Sequence, residues 1–357
     1  MILSSMSSIP RHKPFSLREY AVCHHRFART CGAVRMNFAE FPFVSVVVPT
    51  RRRREMVVRL IGSLLRQDYP ADRYEIIVVH NFTDDGTEEA IRALVEQGGL
   101  PVLSYHRKAF SSPTPSRQFG AEIGRGSIIA FIDDDCEATR GWIRAGVAAM
   151  TTGTGLVQGR TLPRPDQPRH FFEKTVTVTA PTPYFETCNI FYRREAFFGV
   201  GGFSTEFLDR FWGEDTDLGW KVVQSGWARA FASDALVHHE VFRQTLLAWH
   251  REALNLRVWP LLVRLRPAIR QDLYCGYFVS RQSAAFALAV GAAAGAALLH
   301  PVLLLAALPY PWIRTLESGR YRNPLAIAAR IVVGLPRAAL IFGALAYGSI
   351  RHRCLVL

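Results

Sequence analysis

From residue 43 onward the chain alternates short apolar runs with segments whose apolar residues recur every three to four positions. FVSVVVP (43–49) is β-branched and unbroken, the pattern of a buried strand. Met56, Val57, Leu60, Ile61, Leu64 and Leu65 follow at helical spacing, with a stop expected at Tyr69-Pro70. YEIIVV (74–79) predicts a second strand that runs into His80, Asn81 and a TDDGT loop. Thr87 is a candidate cap for the next helix, Glu88 and Glu89 suit its positive end, and Gly98-Gly99 closes it. PVLSYH (101–106) and SIIAFID (127–133) predict a third and a fourth strand. This alternation predicts an α/β fold with a mostly parallel sheet flanked by helices. Ligands of such sheets bind at the carboxyl ends of the strands. Those ends carry Pro49-Thr50, His80-Asn81 and Asp133-Asp134-Asp135, three polar termini expected to converge.

The pattern changes after residue 245. Arg251, Arg257, Arg264, Arg266 and Arg270 are interleaved with Trp249, Leu254, Trp259, Leu261 and Leu262, which predicts a basic amphipathic segment over 246–282 lying on anionic headgroups. From 283 to 357 the chain is strongly apolar. Ala284 to Leu308 carries no formal charge and is long enough for a span, which takes about 20 residues. His300-Pro301 interrupts it, and a second run from Ile331 to Ile350 is broken by Arg337. A helical, membrane-associated region is the expectation, with a buried helical hairpin as the alternative. Residues 41–245 are read as the catalytic domain and 1–40 as a loose basic tail. No secretory pattern opens the chain, and Met36 is a candidate start.

Composition sharpens this. The net charge is +13 and the pI about 9.9, mostly from arginine, which suits phosphorylated ligands or an acidic membrane surface. The basic residues and aromatics form no nucleic-acid-binding module, so a nucleic-acid partner is not expected. Six cysteines, with no CxxC pair, argue against a disulfide framework and for a reducing compartment. Cys23, His24, His25 and Cys31 lack metal-ligand spacing.

Asp133, Asp134 and Asp135 close an apolar strand, and three adjacent carboxylates repel one another unless a cation or solvent relieves them. A divalent metal shared with substrate phosphates is the economical reading. Further on, Gly213 precedes Glu214 and Asp215 at an expected helix start. A carboxylate there is either a helix cap or, beside a ligand cleft, a general base.

These stretches, VSVVVPT, EIIVV with its DDGT loop, RQFGAEIGRGSIIAFIDDDC, and NIFYRREAFFGVGGF followed by GEDTDLGWK, resemble the family 2 glycosyltransferases of the GT-A fold over roughly residues 43 to 245. The ending YGSIRHRCLVL is similar to the C-termini of membrane-associated bacterial members. The resemblance implies that Asp133 and Asp135 form the DxD motif holding Mg²⁺ or Mn²⁺ against a nucleotide-sugar diphosphate. His239 is implied as a further metal-side residue, with His238 a rival in register. It implies Asp215 as the base, with Glu214 beside it as a second catalytic candidate, and attack that inverts the anomeric centre. Pro49, Thr50, His80, Asn81, Arg117, Asp133 and Asp134 are the implied donor side. Trp212 and Gly213 are candidates for the acceptor side, with core packing an equal reading for the tryptophan.

The chain departs from the family pattern at two points. His80 stands where an aspartate commonly contacts the base or ribose, with Asn81 kept beside it and Phe82 replacing a small residue. His80 is therefore expected to touch the donor's nucleoside, and its charge to respond near neutral pH. Arg52 stands where an asparagine is preferred. The expected activity is transfer of a single sugar to a lipid-linked or polysaccharide acceptor at the cytoplasmic membrane face. A catalytically silent, sugar-nucleotide-binding membrane partner is the alternative. A sugar nucleotidyltransferase would want a glycine-rich loop where this chain has PTRRRR, and a processive synthase would want a Gln-x-x-Arg-Trp motif that it lacks.

Overall fold

The computed structural model describes residues 41–81, 83–207, 212–316 and 323–357. The expected basic tail, with Cys23, His24, His25, Cys31 and Met36, lies outside the described residues, as does Phe82. Pro42–Leu357 form one compact unit.

The first half follows the alternating pattern. Strand β1 (Val44–Thr50) leads to α1 (Arg54–Leu64), β2 (Tyr74–Asn81), α2 (Thr87–Glu96), β3 (Val102–Lys108), α3 (Pro113–Ile123) and β4 (Ile128–Ile132). β1 and β2 are buried along their whole length, as their unbroken β-branched runs demand. The chain steps outward from β1 through β2 to β3, then α3 returns across β1 and β2 to deliver β4 on the far side of β1. Gly120 allows that crossing, because a Cβ there would strike the Val47 side chain. Two local expectations change. α1 ends at Leu64, ahead of Tyr69-Pro70. Gly86, at φ 74°, takes the N-cap place before α2, so Thr87 is the first helical residue and Asp85 Oδ1 accepts from its N–H at 3.4 Å.

The second half mixes directions. After β4 come β5 (Cys136–Ala138), α4 (Trp142–Ala148), β6 (Thr154–Pro163), β7 (Glu173–Lys174), β8 (Asn189–Arg193), α5 (Arg194–Gly199), α6 (Glu214–Gln224), β9 (Ala228–His239) and β10 (Phe242–Arg243). The main sheet has the order β3-β2-β1-β4-β8-β6-β9-β5. Its β1–β4 part is parallel, and β6 and β9 pair parallel, whereas β8 runs antiparallel to both β4 and β6, and β5 antiparallel to β9. The sheet is therefore mixed, and its switch in direction lies beside the carboxyl end of β4, where the aspartates sit.

The C-terminal region is α7 (Leu246–Glu252), α8 (Trp259–Leu265), α9 (Arg281–Leu298), α10 (Pro309–Leu316) and α11 (Pro324–His352). Its start at 246 is not a break in packing. Trp259, Leu262, Ile269, Leu345 and Val356 share one core with Leu218 and Trp220 of α6. Gly348 permits the close approach of α11, since a Cβ would collide with the Arg257 carbonyl. Of the arginines expected on headgroups, Arg266 turns inward to Asp217 at 2.7 Å and Arg270 binds the Gly276 and Leu355 carbonyls; Arg251, Arg257 and Arg264 are exposed. The uncharged run 284–308 is not one helix. Pro301 cannot continue α9, and a 3₁₀ turn (Pro301–Ala307) folds Leu303 back against Gly295. Among the described residues, α11 is the one helix long and apolar enough to cross a membrane.

Candidate functional site

Two adjoining cavities open at the carboxyl ends of the strands. The first, about 430 Å³, is lined by Pro49 and Thr50 from β1, Asn81 from β2, the three aspartates after β4, and His239 from β9. Thr50 Oγ1 donates to Asp134 Oδ2 at 2.7 Å. Arg53 Nη1 donates to Asp134 Oδ1 and to Asp135 Oδ2, each at 2.7 Å. Burial pushes the Asp134 carboxyl up to about 7, against the pull of Arg53 and with a push from Asp135. Asp134 is thus held by the protein itself, and Arg53 is the cation that relieves part of the repulsion.

Asp135 keeps one oxygen open. The β5–β9 pairing sets Cys136 opposite His239, and the Glu240 N–H donates to the Asp135 carbonyl at 2.8 Å, so the two side chains face each other. His239 Nδ1 lies 2.7 Å from the Glu240 carbonyl, which can only accept, so Nδ1 carries the proton. His239 Nε2 lies 3.5 Å from Asp135 Oδ1, a buried oxygen that accepts no hydrogen bond among the described residues. With the ring neutral, a nitrogen lone pair and a carboxylate oxygen would face each other there, a donor set that fits a divalent cation. The Cys136 sulfur lies in the same group of atoms, but burial pushes its thiol well up, and a thiol is a poor ligand for a hard ion. His238 does not line this cavity, so the register selects His239.

The two residues that break the family pattern are elsewhere. Strand alternation turns Asn81 toward the cavity and His80 away from it. His80 is fully buried, with Nδ1 2.9 Å from Tyr105 Oη and Nε2 3.4 Å from Thr83 Oγ1. Burial lowers its pKa, so the ring is neutral at pH 7. His80, expected to touch the donor's nucleoside, thus lines neither cavity. Asn81 clamps the backbone of Phe110 with both ends of its amide, at 2.5 and 2.9 Å, and so fixes the loop that leads into α3. Arg52 is exposed, at φ 57°, and lines neither cavity, whereas its neighbours Arg51 and Arg53 line the first.

Arg117 joins the two cavities. Its buried guanidinium donates to Asp133 Oδ1 at 2.5 Å and approaches Glu214 Oε1 at 3.5 Å. Both Arg117 and Asp133 line the second cavity as well, about 520 Å³ in volume. Trp212 stands at its mouth, exposed, and Gly213, Glu214 and Asp215 form one wall. Gly213 takes φ 99° as the N-cap of α6, a conformation that other residues rarely adopt, and a side chain there would press on Phe207. The turn brings Asp215 in at the first turn of the helix. Its Oδ1 accepts from the Thr216 N–H at 2.7 Å. Burial, then the Glu214 and Glu186 charges, push its carboxyl well above the usual range and overcome the favourable helix end. Burial likewise raises Glu214 and Glu186.

Glu186 was not a candidate in the sequence. Its Oε2 accepts from Gln158 Nε2 at 2.6 Å and Thr182 Oγ1 at 2.9 Å, and the residue lines the second cavity opposite the α6 wall. Tyr184 and Trp259, in edge contact at 5.3 Å between centroids, form the cavity's aromatic side. Neither falls in a strand-end or motif position, so no local pattern marks it. Arg53 was visible only as one of four arginines.

Residues 45–209 match the model of the glycosyl transferase family 2. A glycosyltransferase AglE from Haloferax volcanii is 27% identical over 208 residues, covering 56% of this chain and 67% of that protein. A validoxylamine A glucosyltransferase from Streptomyces hygroscopicus is 22% identical over 223 residues, covering 52% of each. Among solved structures, the mannosyltransferase PcManGT from Pyrobaculum calidifontis, in complex with GDP-Man and Mn²⁺, superposes with a TM-score of 0.55 at 18% identity over 94% of both chains. The fold of the sheet and its flanking helices is the GT-A fold, here followed by additional C-terminal helices.

Proposed function

Since the chain belongs to the family 2 glycosyltransferases, we propose that it is a metal-dependent, inverting enzyme that takes one sugar from a nucleotide-sugar donor and transfers it to a lipid-linked or polysaccharide acceptor at the cytoplasmic face of the cell membrane. The observation that carries this reading is the placing of Asp215, a buried carboxyl raised in pKa, across Arg117 and Asp133 from the cation-shaped gap between Asp135 and His239.

In this reading the first cavity holds the nucleoside diphosphate. Asp135 and His239, with Asp133, would hold Mg²⁺ or Mn²⁺, which would supply Lewis-acid neutralisation of the departing diphosphate. Arg53 and Arg117 orient the phosphates, and Thr50 fixes Asp134 so that the loop keeps its shape. Pro49 and Asn81 shape the cavity wall. The acceptor sits in the second cavity, with a sugar face on Trp212 and a hydroxyl accepted by Glu186. Asp215 takes the proton of the attacking hydroxyl as its oxygen bonds to the anomeric carbon. The bond from that carbon to the diphosphate breaks, and its electron pair leaves with the phosphate oxygen. Attack and departure on opposite sides invert the centre in one step. A raised carboxyl pKa is the tuning a base needs if it works near neutral pH. Membrane association rests on α11 and on the exposed Arg251, Arg257 and Arg264 beside it.

The test is purification in detergent and a screen of nucleotide-sugars for release of nucleoside diphosphate with Mg²⁺ or Mn²⁺. Release that survives EDTA, or is unchanged by Asp135→Ala, contradicts the metal role. A product of retained configuration contradicts the single displacement.

A further inference from the structure

The second cavity shares a wall with a third. Its wall residues Tyr184 and Leu256 are also walls of a third cavity, about 180 Å³, set among the C-terminal helices. Phe286 of α9, Tyr310 of α10, and Ile341 and Phe342 of α11 line that space. Phe286 packs on both Tyr310 and Phe342, at 5.2 and 6.0 Å between ring centroids. Three polar groups at its rim are already engaged. The Ser280 and Ser283 hydroxyls cap α9, and Gln282 Oε1 accepts from Arg314 at 2.9 Å. Apart from the two tyrosines, the rest of the lining is largely apolar.

Among the described residues, the outer surface of the same helices carries large exposed apolar side chains: Leu298 at the end of α9 and Leu299 after it, Trp312 on α10, and Leu325 and Val332 on α11. Exposed apolar surface on this scale suits a membrane or protein contact. The cavity is lined by these same helices on one side and, at Tyr184 and Leu256, by the wall of the cavity that holds Asp215. A molecule with a hydrocarbon chain and a sugar head could fill both spaces at once, whereas a soluble polysaccharide would leave the apolar one empty.

We propose that this cavity receives the hydrocarbon chain of a lipid-linked acceptor, and that the chain passes Tyr184 and Leu256 to bring the acceptor's sugar to Asp215. The inference rests on the glycosyltransferase reading above and decides between its two acceptor classes. The site takes the chain segment next to the head group, and the rest of the lipid stays in the bilayer beside α9 and α11. Tyr184, in edge contact with Trp259, is the point where chain and sugar meet.

The experiment is photolabelling of the full chain in lipid nanodiscs with a long-chain alkyl glucoside carrying a diazirine in its alkyl tail, mapped by mass spectrometry. The expected label falls on Phe286, Tyr310, Ile341 or Phe342, and is competed by an unlabelled long-chain alkyl glucoside but not by methyl glucoside. Ala338→Trp, which fills the cavity from α11, loses the label; Ala339→Trp, on the exposed side of the same helix turn, keeps it. Label spread along the exposed face of α11, or label undiminished by Ala338→Trp, overturns the proposal. The wild-type map and its competition stand alone if the tryptophan variant does not fold. Nucleoside diphosphate release by the same wild-type preparation is read separately, and its failure would count against the enzyme reading rather than against the cavity.

Discussion

Asp135 Oδ1 and His239 Nε2 face each other at 3.5 Å inside the protein, and no described residue donates a hydrogen bond to that oxygen. The arrangement is maintained by backbone, through the β5–β9 register and the Glu240 carbonyl that holds the proton of Nδ1. In the proposed function this pair would hold the metal. His239→Ala is therefore expected to weaken Mn²⁺ binding by at least about 10- to 100-fold, the loss that even outer-shell partners cause. Titration of Mn²⁺ followed by its electron paramagnetic resonance signal checks this without any turnover. Equal Mn²⁺ affinity in the variant would make His239 a structural residue.

Arg117 is placed to couple the donor and acceptor cavities, because it contacts Asp133 on one side and Glu214 on the other. A lysine keeps the charge but cannot span both carboxylates. Arg117→Lys is expected to lower kcat on the order of 100-fold, the cost of misplacing reacting groups by about an ångström. Steady-state kinetics with saturating donor would detect it, and an unchanged kcat would reduce Arg117 to a packing role.

Glu186 raises the pKa of Asp215 by its negative charge. Removing that charge should let Asp215 ionise more readily. Glu186→Gln is accordingly expected to shift the acidic limb of the kcat/KM profile to lower pH, while raising KM for the acceptor. A limb that stays in place would show that the two carboxyls do not communicate.

His80 is a structural residue in this account. Burial lowers its pKa below the ordinary 6.5. The native state therefore binds a proton less readily than the unfolded chain. Its contribution to stability is complete above the ordinary value and is lost as the pH falls through the lowered one. Replacement by the aspartate common in the family would bury a carboxylate against Tyr105. His80→Asp is expected to destabilise the fold by about 3 kcal/mol, with the donor preference of the folded fraction unchanged. Denaturant unfolding and a donor screen separate the two effects; a changed donor preference at unchanged stability would restore His80 to the nucleoside pocket.

Much of the first half was legible because a parallel strand buried on both faces writes itself as a β-branched run. The runs ending at Thr50, Asn81 and Asp133 located the carboxyl edge of the sheet, and hence the first cavity. The Gly213-Glu214-Asp215 start was legible because a left-handed N-cap needs glycine. What the sequence could not give was direction and facing. Nothing local says that β8 runs antiparallel to β4, or that His239 and not His238 faces the aspartates, since both follow from pairing between distant strands. His80 misled because a motif position is read as a function, while a one-residue alternation decides which face it serves. Glu186 reaches the second cavity from a segment without motif or period, and Trp259 from the segment expected on headgroups. The break in the run 284–308 was legible at His300-Pro301, and the chain folds back there through the Pro301–Ala307 turn.

The central claim is that Asp215 removes the acceptor's proton from a buried position that disfavours its own charge. Asp215→Asn preserves shape and removes only the ionisable group. The decisive measurement pairs turnover with donor binding and thermal unfolding for wild type and this variant at pH 8. A carboxyl whose folded pKa is raised favours the native state at low pH, an advantage lost as the pH rises through that pKa, and the amide escapes the loss. The expected result is a turnover lower by about 10²- to 10⁴-fold, donor affinity in the presence of Mn²⁺ close to wild type, and a Tm equal to or above that of wild type. Turnover within a few-fold of wild type, or loss of donor binding with a lowered Tm, would contradict the account.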